Sequence, residues 1–411
     1  MYLYIGSIGS KNGVKGSLSG HGEGIYTIEW NETSIQHIDT THSNNAGIIC
    51  LSHDKRYLYC ANEVKDFTGL NGSGGGITAY KIVDNKLFKL NESISYGSRP
   101  AYVSITDDDQ YLLVANHGSH TTVTCHYVLN KNGEYELQRG FDDSSVAVFR
   151  INDDGSIGNL CDLKVFDGHG YWCHGGGQST SHIHCVKSKG DLVIACNRGC
   201  DSIEVMKLDK QTGKLSIIER YHTPSAYAPR HFVFHPRKDI IYVVNENYPV
   251  VSIYEIKDDH LQALQHIGCM NDTYYIEYPL PSYTKKEADI NEVNSSGMAD
   301  MSKVMPSDIH INNSYVYVSN RCLKGKGSLA TFHIQEDGTL ELLNVLSLEG
   351  SDPRGFNIIN NKLLISLCDQ DKVIIYDLNN GIPTTKIQEC ELHSPVSIVC
   401  KDAASFVTSF L

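Results

Sequence analysis

The chain repeats one arrangement of apolar and polar positions along most of its length. Each copy has a short apolar segment, a turn with Asp, Asn or Lys, a Tyr-rich segment ending in Asn or an ionisable residue, and two more segments around a Gly turn. The first clear copy begins near Ala46, and the last two begin at Pro306 and Pro353, 47 residues apart. Alternating polarity without a helical period of 3.6 predicts four β-strands in each copy.

Repeats of about 40–50 residues with four strands are typical of β-propeller blades. Six complete copies leave over a lone inner strand in 394–402 and three further strands in 1–39. Combined in a seventh blade, these fragments close the ring and remove its open sheet edges. We therefore predict one all-β domain over residues 1–411, a seven-bladed β-propeller with four antiparallel strands per blade, closed by both termini in one blade. An open solenoid is the alternative, and it would leave both end faces uncapped.

Four segments interrupt the repeats and are interpreted as insertions, near 64–76, 131–145, 167–181 and 270–305. Long loops are tolerated at the faces of a ring. The last insertion is the longest and carries four tyrosines. It is either a surface excursion or a functional segment, such as a lid or a contact in a homo-oligomer.

Charge and composition narrow the class of partner. The chain has 35 Lys and Arg against 48 Asp and Glu, a net charge of −13, so nucleic acid and anionic membrane surfaces are excluded as general partners. No apolar run approaches the ~18 residues of a membrane span, and no signal peptide is visible. The 13 cysteines are scattered without a C-x-x-C pair. We expect a cytoplasmic protein with reduced thiols.

Ionisable residues recur where a propeller gathers its loops. The start of each inner strand and the end of each second strand open on the same face, so these positions surround one mouth of the channel. The inner strands begin at Arg99-Pro100, His182-Ile183-His184, Pro229-Arg230-His231, Asp308-Ile309-His310 and Pro353-Arg354. The second strands end at Asn62-Glu63, Asn116-His117, Asn197-Arg198, Asn245-Glu246, Asn320-Arg321 and Cys368-Asp369.

Arginines, histidines and carboxylates that converge on one pocket indicate a site for an anionic ligand together with general acid–base chemistry. The planar fork of Arg binds two oxygens of a carboxylate or phosphate at once. The alternative is structural, because channel ions can also solvate the central hole or tie neighbouring blades together. Recurrence in register favours the functional interpretation.

On these residues the chain resembles the seven-bladed β-propeller lactonases, a family that includes propeller-type 6-phosphogluconolactonase and carboxy-cis,cis-muconate lactonizing enzyme. The most specific match runs from Pro229-Arg230-His231-Phe232 to Tyr242-Val-Val-Asn-Glu246. Asp308-Ile309-His310 with Ser319-Asn320-Arg321, and Pro353-Arg354-Gly355-Phe356, add to it. The resemblance covers the whole chain apart from the insertions, and the insertions and Asn197-Arg198 depart from the usual pattern.

The resemblance implies a site with one His, two Arg and one Glu, and no metal or organic cofactor. These catalytic residues fall on His184, Glu246, Arg230 and Arg321. His182 is a second candidate for the histidine, because the H-x-H pattern allows either register. The set of further substrate-binding candidates is Arg354, His182, His231, His310, Glu63 and Arg198.

The implied activity is hydrolysis of a small anionic lactone of a sugar acid or sugar phosphate. Glu246 or His184 would activate water, while Arg230 and Arg321 would hold the anion and the developing oxyanion. One alternative is a carboxy-cis,cis-muconate cyclase, which uses the same pocket for lactone formation. A non-catalytic binding propeller of the WD40 type is the other, weakened by the absence of a Trp-Asp pair.

The segment from Asp167 to Cys185 is rich in His and Cys, which are the ligand types of zinc. Its spacing matches no structural zinc frame, so we interpret it as a glycine-rich loop with solvated histidines. No metal site is predicted.

Overall fold

The computed structural model describes residues 1–9, 20–119, 124–171, 177–271, 304–322 and 325–402. Within them, seven four-stranded antiparallel sheets contact one another in a closed ring through their inner strands. The predicted seven-bladed β-propeller is confirmed. From the inner to the outer strand, the blades are: blade 1, β4 (Ala46–Leu51), β5 (Tyr57–Asn62), β6 (Gly76–Val83), β7 (Lys86–Ile94); blade 2, β8 (Pro100–Ile105), β9 (Tyr111–Asn116), β12 (Ser144–Ile151), β13 (Ile157–Phe166); blade 3, β14 (Ile183–Lys189), β15 (Leu192–Asn197), β16 (Ser202–Asp209), β17 (Lys214–His222); blade 4, β18 (Pro229–Phe234), β19 (Ile240–Asn245), β20 (Val250–Lys257), β21 (His260–Gly268); blade 5, β22 (Met305–Asn312), β23 (Tyr315–Arg321), β24 (Ser328–Ile334), β25 (Leu340–Ser347); blade 6, β26 (Pro353–Ile359), β27 (Lys362–Leu367), β28 (Lys372–Asn379), β29 (Ile382–Glu391); blade 7, β30 (Pro395–Cys400), β1 (Tyr2–Ser7), β2 (Gly24–Trp30), β3 (Ile35–His42).

Both chain ends build blade 7, as the leftover fragments predicted. Strand β1 pairs with β30 on one side and β2 on the other, so Ile5 lies opposite both Ile398 and Tyr26. Strands β1 and β30 are therefore held together by ladder hydrogen bonds, which close the ring within blade 7.

Apolar layers fill the space between neighbouring blades. Among the described residues, each of the seven junctions has its own cluster of buried side chains, such as the one that packs Val244 of blade 4 against Val318 of blade 5. The second strands face such a layer on both sides, and β5, β9, β15 and β19 are buried at every position. The expected alternation of polarity is therefore wrong for these strands, because a sheet covered on both faces has no polar side.

Tyrosines of the second strands link each blade to the next at five of the seven junctions. The hydroxyl of Tyr242 in blade 4, for example, donates to the carbonyl of Gly338 in a turn of blade 5 at 2.9 Å. The linking pairs are Tyr4–Asn85, Tyr59–Gly155, Tyr111–Lys210, Tyr242–Gly338 and Tyr317–Gly381. Buried hydroxyls need such partners, so the repeated Tyr explains part of the high Tyr content of the chain.

Each insertion connects a second strand to a third or an outer strand to the next inner one, so the described strand ends that flank it lie on the face where inner strands begin. The segment 64–76 is a loop between β5 and β6. Blade 2 carries a separate hairpin of β10 (Thr124–Leu129) and β11 (Tyr135–Gly140), so its additional chain spans 117–143 rather than 131–145. Of the segments 167–181 and 270–305, residues 172–176 and 272–303 lie outside the described residues.

Short 3-10 turns at Arg198–Cys200 and Cys368–Gln370 follow two of the second strands. The described part of the chain contains no helix long and apolar enough to cross a membrane.

Candidate functional site

A buried asparagine is the last or next-to-last residue of the second strand in five blades, at positions 62, 116, 197, 245 and 320. Its side-chain amide forms hydrogen bonds to the start of the third strand. In blade 4, Nδ2 of Asn245 donates to Oγ of Ser252 at 2.9 Å and to the carbonyl of Val250 at 3.0 Å. The asparagine therefore does more than form a turn, since it fixes the backbone from which the next, ionisable side chain leaves the strand.

Three of the predicted arginines converge on one glutamate. Oε2 of Glu246 lies 2.7 Å from Nε of Arg198 and 3.2 Å from Nε of Arg230, and Oε1 lies 3.0 Å from Nη2 of Arg321. All four residues are at least nine-tenths buried. Both carboxylate oxygens are thus engaged, and the cluster brings together side chains from blades 3, 4 and 5.

The ion pairs of this cluster join three positive side chains to one negative side chain. Although burial opposes it, Arg198 and the other two arginines hold the pKa of Glu246 well below its usual value. Burial, with Arg321 and Arg354 nearby, lowers the pKa of Arg230 to about 9. One carboxylate forms ion pairs with all three guanidiniums, whereas Asp308 beside Arg230, and Asp352 and Glu63 beside Arg354, attract the arginines without an ion pair among the described residues.

A cavity beside the cluster lies at the mouth of the channel. Its polar lining consists of Glu63, His184, Arg230, His231 and Arg354, and its apolar lining includes Ile8, Ile48, Ala101 and Val396. Nδ1 of His184 and Nη1 of Arg354 are buried and have no hydrogen-bond partner among the described residues. Buried polar groups are normally paired, so these two atoms are available to a ligand.

The two histidines of the H-x-H pattern have different surroundings. His182 is fully buried, stacks on His117 with ring centroids 4.3 Å apart, and its Nδ1 is 2.8 Å from the carbonyl of His117. His184 lines the cavity. Burial, Arg230 and His231 lower its pKa well below the usual value, so its imidazole is neutral. The geometry favours His184 as the histidine that meets a ligand.

Asp308 connects two histidines to the arginine cluster. Its Oδ1 lies 2.9 Å from Nδ1 of His231, and its Oδ2 lies 3.1 Å from Nε2 of His310. Nε2 of His231 is in turn 3.2 Å from Nη1 of Arg230. His310 packs on the ring of Phe356 and is not among the described residues that line the cavity, and its contact with the site runs through Asp308.

The predicted residues are therefore brought together at one mouth in three groups. The cavity lining contains His184, Arg230, His231, Arg354 and Glu63; the group behind it contains Arg198, Glu246, Arg321 and His182; His310 is connected through Asp308. The sequence reasoning gave no role to Asp308 or His117, although both stood at the expected strand ends. The sequence also contains a signal that could have identified Asp308, since an acidic residue stands two positions before a His in Asp308-Ile309-His310.

The described residues contain no group of three His, Cys, Asp or Glu side chains arranged to hold a metal ion. In the His- and Cys-rich segment, Cys173 and His174 lie outside the described residues, and Cys185 is buried in the apolar layer between blades 3 and 4.

Comparisons with known proteins agree with this architecture. The family model described as lactonase, 7-bladed β-propeller, matches residues 2–400. The chain is 24% identical to proteins named 6-phosphogluconolactonase in Formosa agariphila, over 90% of this chain and 91% of the other, and in Bacillus subtilis, over 87% and 85%.

Among solved structures, the fold resembles a periplasmic gluconolactonase of Pseudomonas aeruginosa with a TM-score of 0.72 and 21% identity, covering 97% of this chain and 98% of the other. A family model that extends over almost the whole chain establishes the family. The chain belongs to the seven-bladed β-propeller lactonase family.

Proposed function

We propose that the protein hydrolyses a small anionic lactone at the channel mouth, with a sugar-acid or sugar-phosphate lactone as substrate. The observation that carries the proposal is that His184 and Arg354 line one cavity without hydrogen-bond partners among the described residues, next to the positive cluster around Arg230. A neutral imidazole can accept a proton, and unpaired guanidinium groups can bind an anion or an oxyanion.

In the proposed reaction, His184 takes a proton from water while the water oxygen forms a bond to the lactone carbonyl carbon. Arg354 and Arg230 stabilise the oxyanion and hold the anionic group of the substrate. The ring C–O bond then breaks, and the imidazolium returns its proton to the leaving alkoxide oxygen. The product is the open hydroxy acid, with one water added.

Glu246 is assigned a different part from that of a base. Its two oxygens are occupied by Arg198, Arg230 and Arg321, whereas Nδ1 of His184 has no hydrogen-bond partner among the described residues. We propose that it holds the arginines in place, and that His184 is the base of the two candidates left open by the sequence.

The names of the relatives support the class of substrate. Proteins named 6-phosphogluconolactonase match most of the chain, and a surplus of buried positive charge suits a phosphorylated or carboxylated lactone. No observed geometry favours lactone formation from a muconate, so hydrolysis is the proposed direction.

The test is a panel of phosphorylated, plain and carboxylated lactones, read at early times against spontaneous hydrolysis. Mass spectrometry identifies hydrolysis by the added water, which isomerisation does not give. Arg354→Ala is the informative variant, because the Arg354 side chain has no partner among the described residues to leave unpaired. We expect its KM for the anionic lactone to rise at least tenfold, since a charged hydrogen bond contributes about 1.5–3 kcal/mol.

Arg237→Ala is the matched control, because Arg237 is exposed in the turn between β18 and β19, on the opposite face of the ring. Its kinetics should equal those of the wild type. Absence of turnover with every lactone, or equal kinetics of Arg354→Ala and wild type, would overturn the proposal.

A further inference from the structure

Among the described residues that line the cavity, Glu63 is the one carboxylate. It follows the buried Asn62 at the end of β5, and its backbone is held on both sides by Asn45. The N–H of Glu63 donates to the carbonyl of Asn45 at 3.0 Å, and Nδ2 of Asn45 donates to the carbonyl of Glu63. The carboxylate is therefore presented from a fixed backbone, although it has no partner of its own among the described residues.

The nearest candidate for a counter-ion is Arg354, and its geometry does not make a pair with Glu63. The attraction of Asp352 and of Glu63 raises the pKa of Arg354, against the effect of burial. No ion pair within 4.0 Å joins Arg354 and Glu63, both of which are described. A cation and an anion thus line the same small cavity without forming an ion pair with each other.

The space next to the carboxylate is kept open by a glycine. A Cβ atom on Gly47 would lie 3.2 Å from Oε2 of Glu63, closer than most carbon contacts. Gly47 also lines the cavity, beside Ile48. At this side of the cavity, the carboxylate oxygens of Glu63 can therefore accept hydrogen bonds from a ligand, and the groups around them are apolar.

An ionised carboxylate can only accept hydrogen bonds. It favours a ligand that offers hydroxyl donors on that side, and it repels a second carboxylate brought into the same low-dielectric space. We propose, on the basis of the proposed function, that Glu63 is the specificity-determining residue that selects a hydroxylated anionic lactone over one without hydroxyl groups. The anionic group binds at Arg354 and Arg230, and a ring hydroxyl donates to Glu63.

The test compares 6-phosphoglucono-δ-lactone with muconolactone, a carboxylated lactone without hydroxyl groups, in wild type, Glu63→Ala and Glu63→Gln. We expect Glu63→Ala to lower kcat/KM for the hydroxylated lactone about ten- to a hundredfold, mostly through KM. Its kcat/KM for muconolactone should stay constant or rise. Glu63→Gln keeps a carbonyl acceptor without the charge, so its loss should be smaller and its gain with muconolactone similar.

Glu391→Gln is the matched control, since Glu391 lines a separate groove between blades 6 and 7, and its kinetics should not change. Equal losses for both lactones in Glu63→Ala would overturn the inference, because a counter-ion of Arg354 would affect every anion alike. Thermal unfolding of each variant identifies a loss that comes from misfolding.

Calorimetry separates failure of this inference from failure of the proposed function. If the wild type hydrolyses neither lactone, the proposed function fails. Binding of 6-phosphogluconate and of adipate then tests Glu63 alone. Preference of the wild type for the hydroxylated anion, lost in Glu63→Ala, supports the inference, and equal affinities in the wild type overturn it.

Discussion

The carboxylate of Asp308 lies 2.9 Å from Nδ1 of His231, and this contact fixes the tautomer of the imidazole. Arg230 can only donate, and its Nη1 lies 3.2 Å from Nε2 of His231. Nε2 must therefore accept, and the proton resides on Nδ1, where it is donated to Asp308. A chain of three residues from blades 4 and 5 thus orients a guanidinium at the cavity.

Asp308→Asn should hold the Arg230 guanidinium less firmly in this orientation, while the side chains of the site stay in place. The amide is the same size but carries no charge, so it supports the Nδ1 proton less well. We expect kcat/KM for the anionic lactone to fall about tenfold or more. The decrease in kcat should be larger than the decrease in affinity for the product. Asp239→Asn, at an exposed surface pair with Lys189, is the control. Unchanged kinetics in a folded Asp308→Asn protein would contradict a positioning role.

The pH dependence of the reaction should report His184. Burial and Arg230 lower its pKa well below 6.5, so in the free enzyme the imidazole is already neutral at and above that pH. We expect kcat/KM to stay level from pH 8 to 6.5 and to fall only at lower pH, where protonation removes the base. The lactone used should keep a constant charge over this range.

In the complex, a bound anion offsets part of the field of Arg230. The acidic limb of kcat should therefore lie at higher pH than that of kcat/KM. An acidic limb of kcat/KM at or above pH 6.5 would exclude this assignment of His184.

Glu246→Gln should destabilise the fold, because three buried guanidiniums lose their shared counter-charge. Removing one partner of a buried ion pair costs about 3–5 kcal/mol. Inorganic phosphate should restore part of the lost thermal stability, and stabilise the variant more than the wild type. Glu29→Gln, on the exposed side of β2, is the control. Equal stabilisation of the wild type and of Glu246→Gln by phosphate would show that the cluster does not bind anions.

Tyr242→Phe should lower the free energy of unfolding by about 1–2 kcal/mol, because the buried carbonyl of Gly338 loses its donor from the neighbouring blade. The effect of Tyr111→Phe should add to it, since the two hydroxyls bind turns of different blades. Tyr135→Phe, 76% exposed on the hairpin of blade 2, should have no effect. Denaturant unfolding measures all three, and equal stability of Tyr242→Phe and wild type would refute the linking role.

The fold was predictable because its signal is repeated. A four-strand pattern that recurs six times is strong evidence, and the leftover strands at the two ends specified the closing blade, as β1 and β30 show. The mouth was predictable for the same reason, since equivalent strand ends meet on one face. The hairpin Thr124–Gly140 was not, because a two-stranded insertion has no second copy to reveal its bounds.

Individual roles were harder to predict than positions. Arg230 and Glu246 stand at equivalent-looking strand ends, and only the distances show that one carboxylate serves three arginines. His182 and His184 differ by two residues in sequence, yet one stacks behind His117 and the other lines the cavity. These differences depend on contacts between blades, which the local pattern does not encode.

In five blades, the buried asparagine near the end of the second strand separates what the fold needs from what the chemistry needs. Asn62, Asn197 and Asn245 satisfy the backbone and the third strand, while the very next side chain meets the mouth. Exchanging that single following residue alters charge or reach without disturbing the anchor behind it. A ring built this way can be retargeted to new ligands one blade at a time, beginning at position 63, because Glu63 lines the cavity outside the buried ion pairs that hold Arg198 and Glu246.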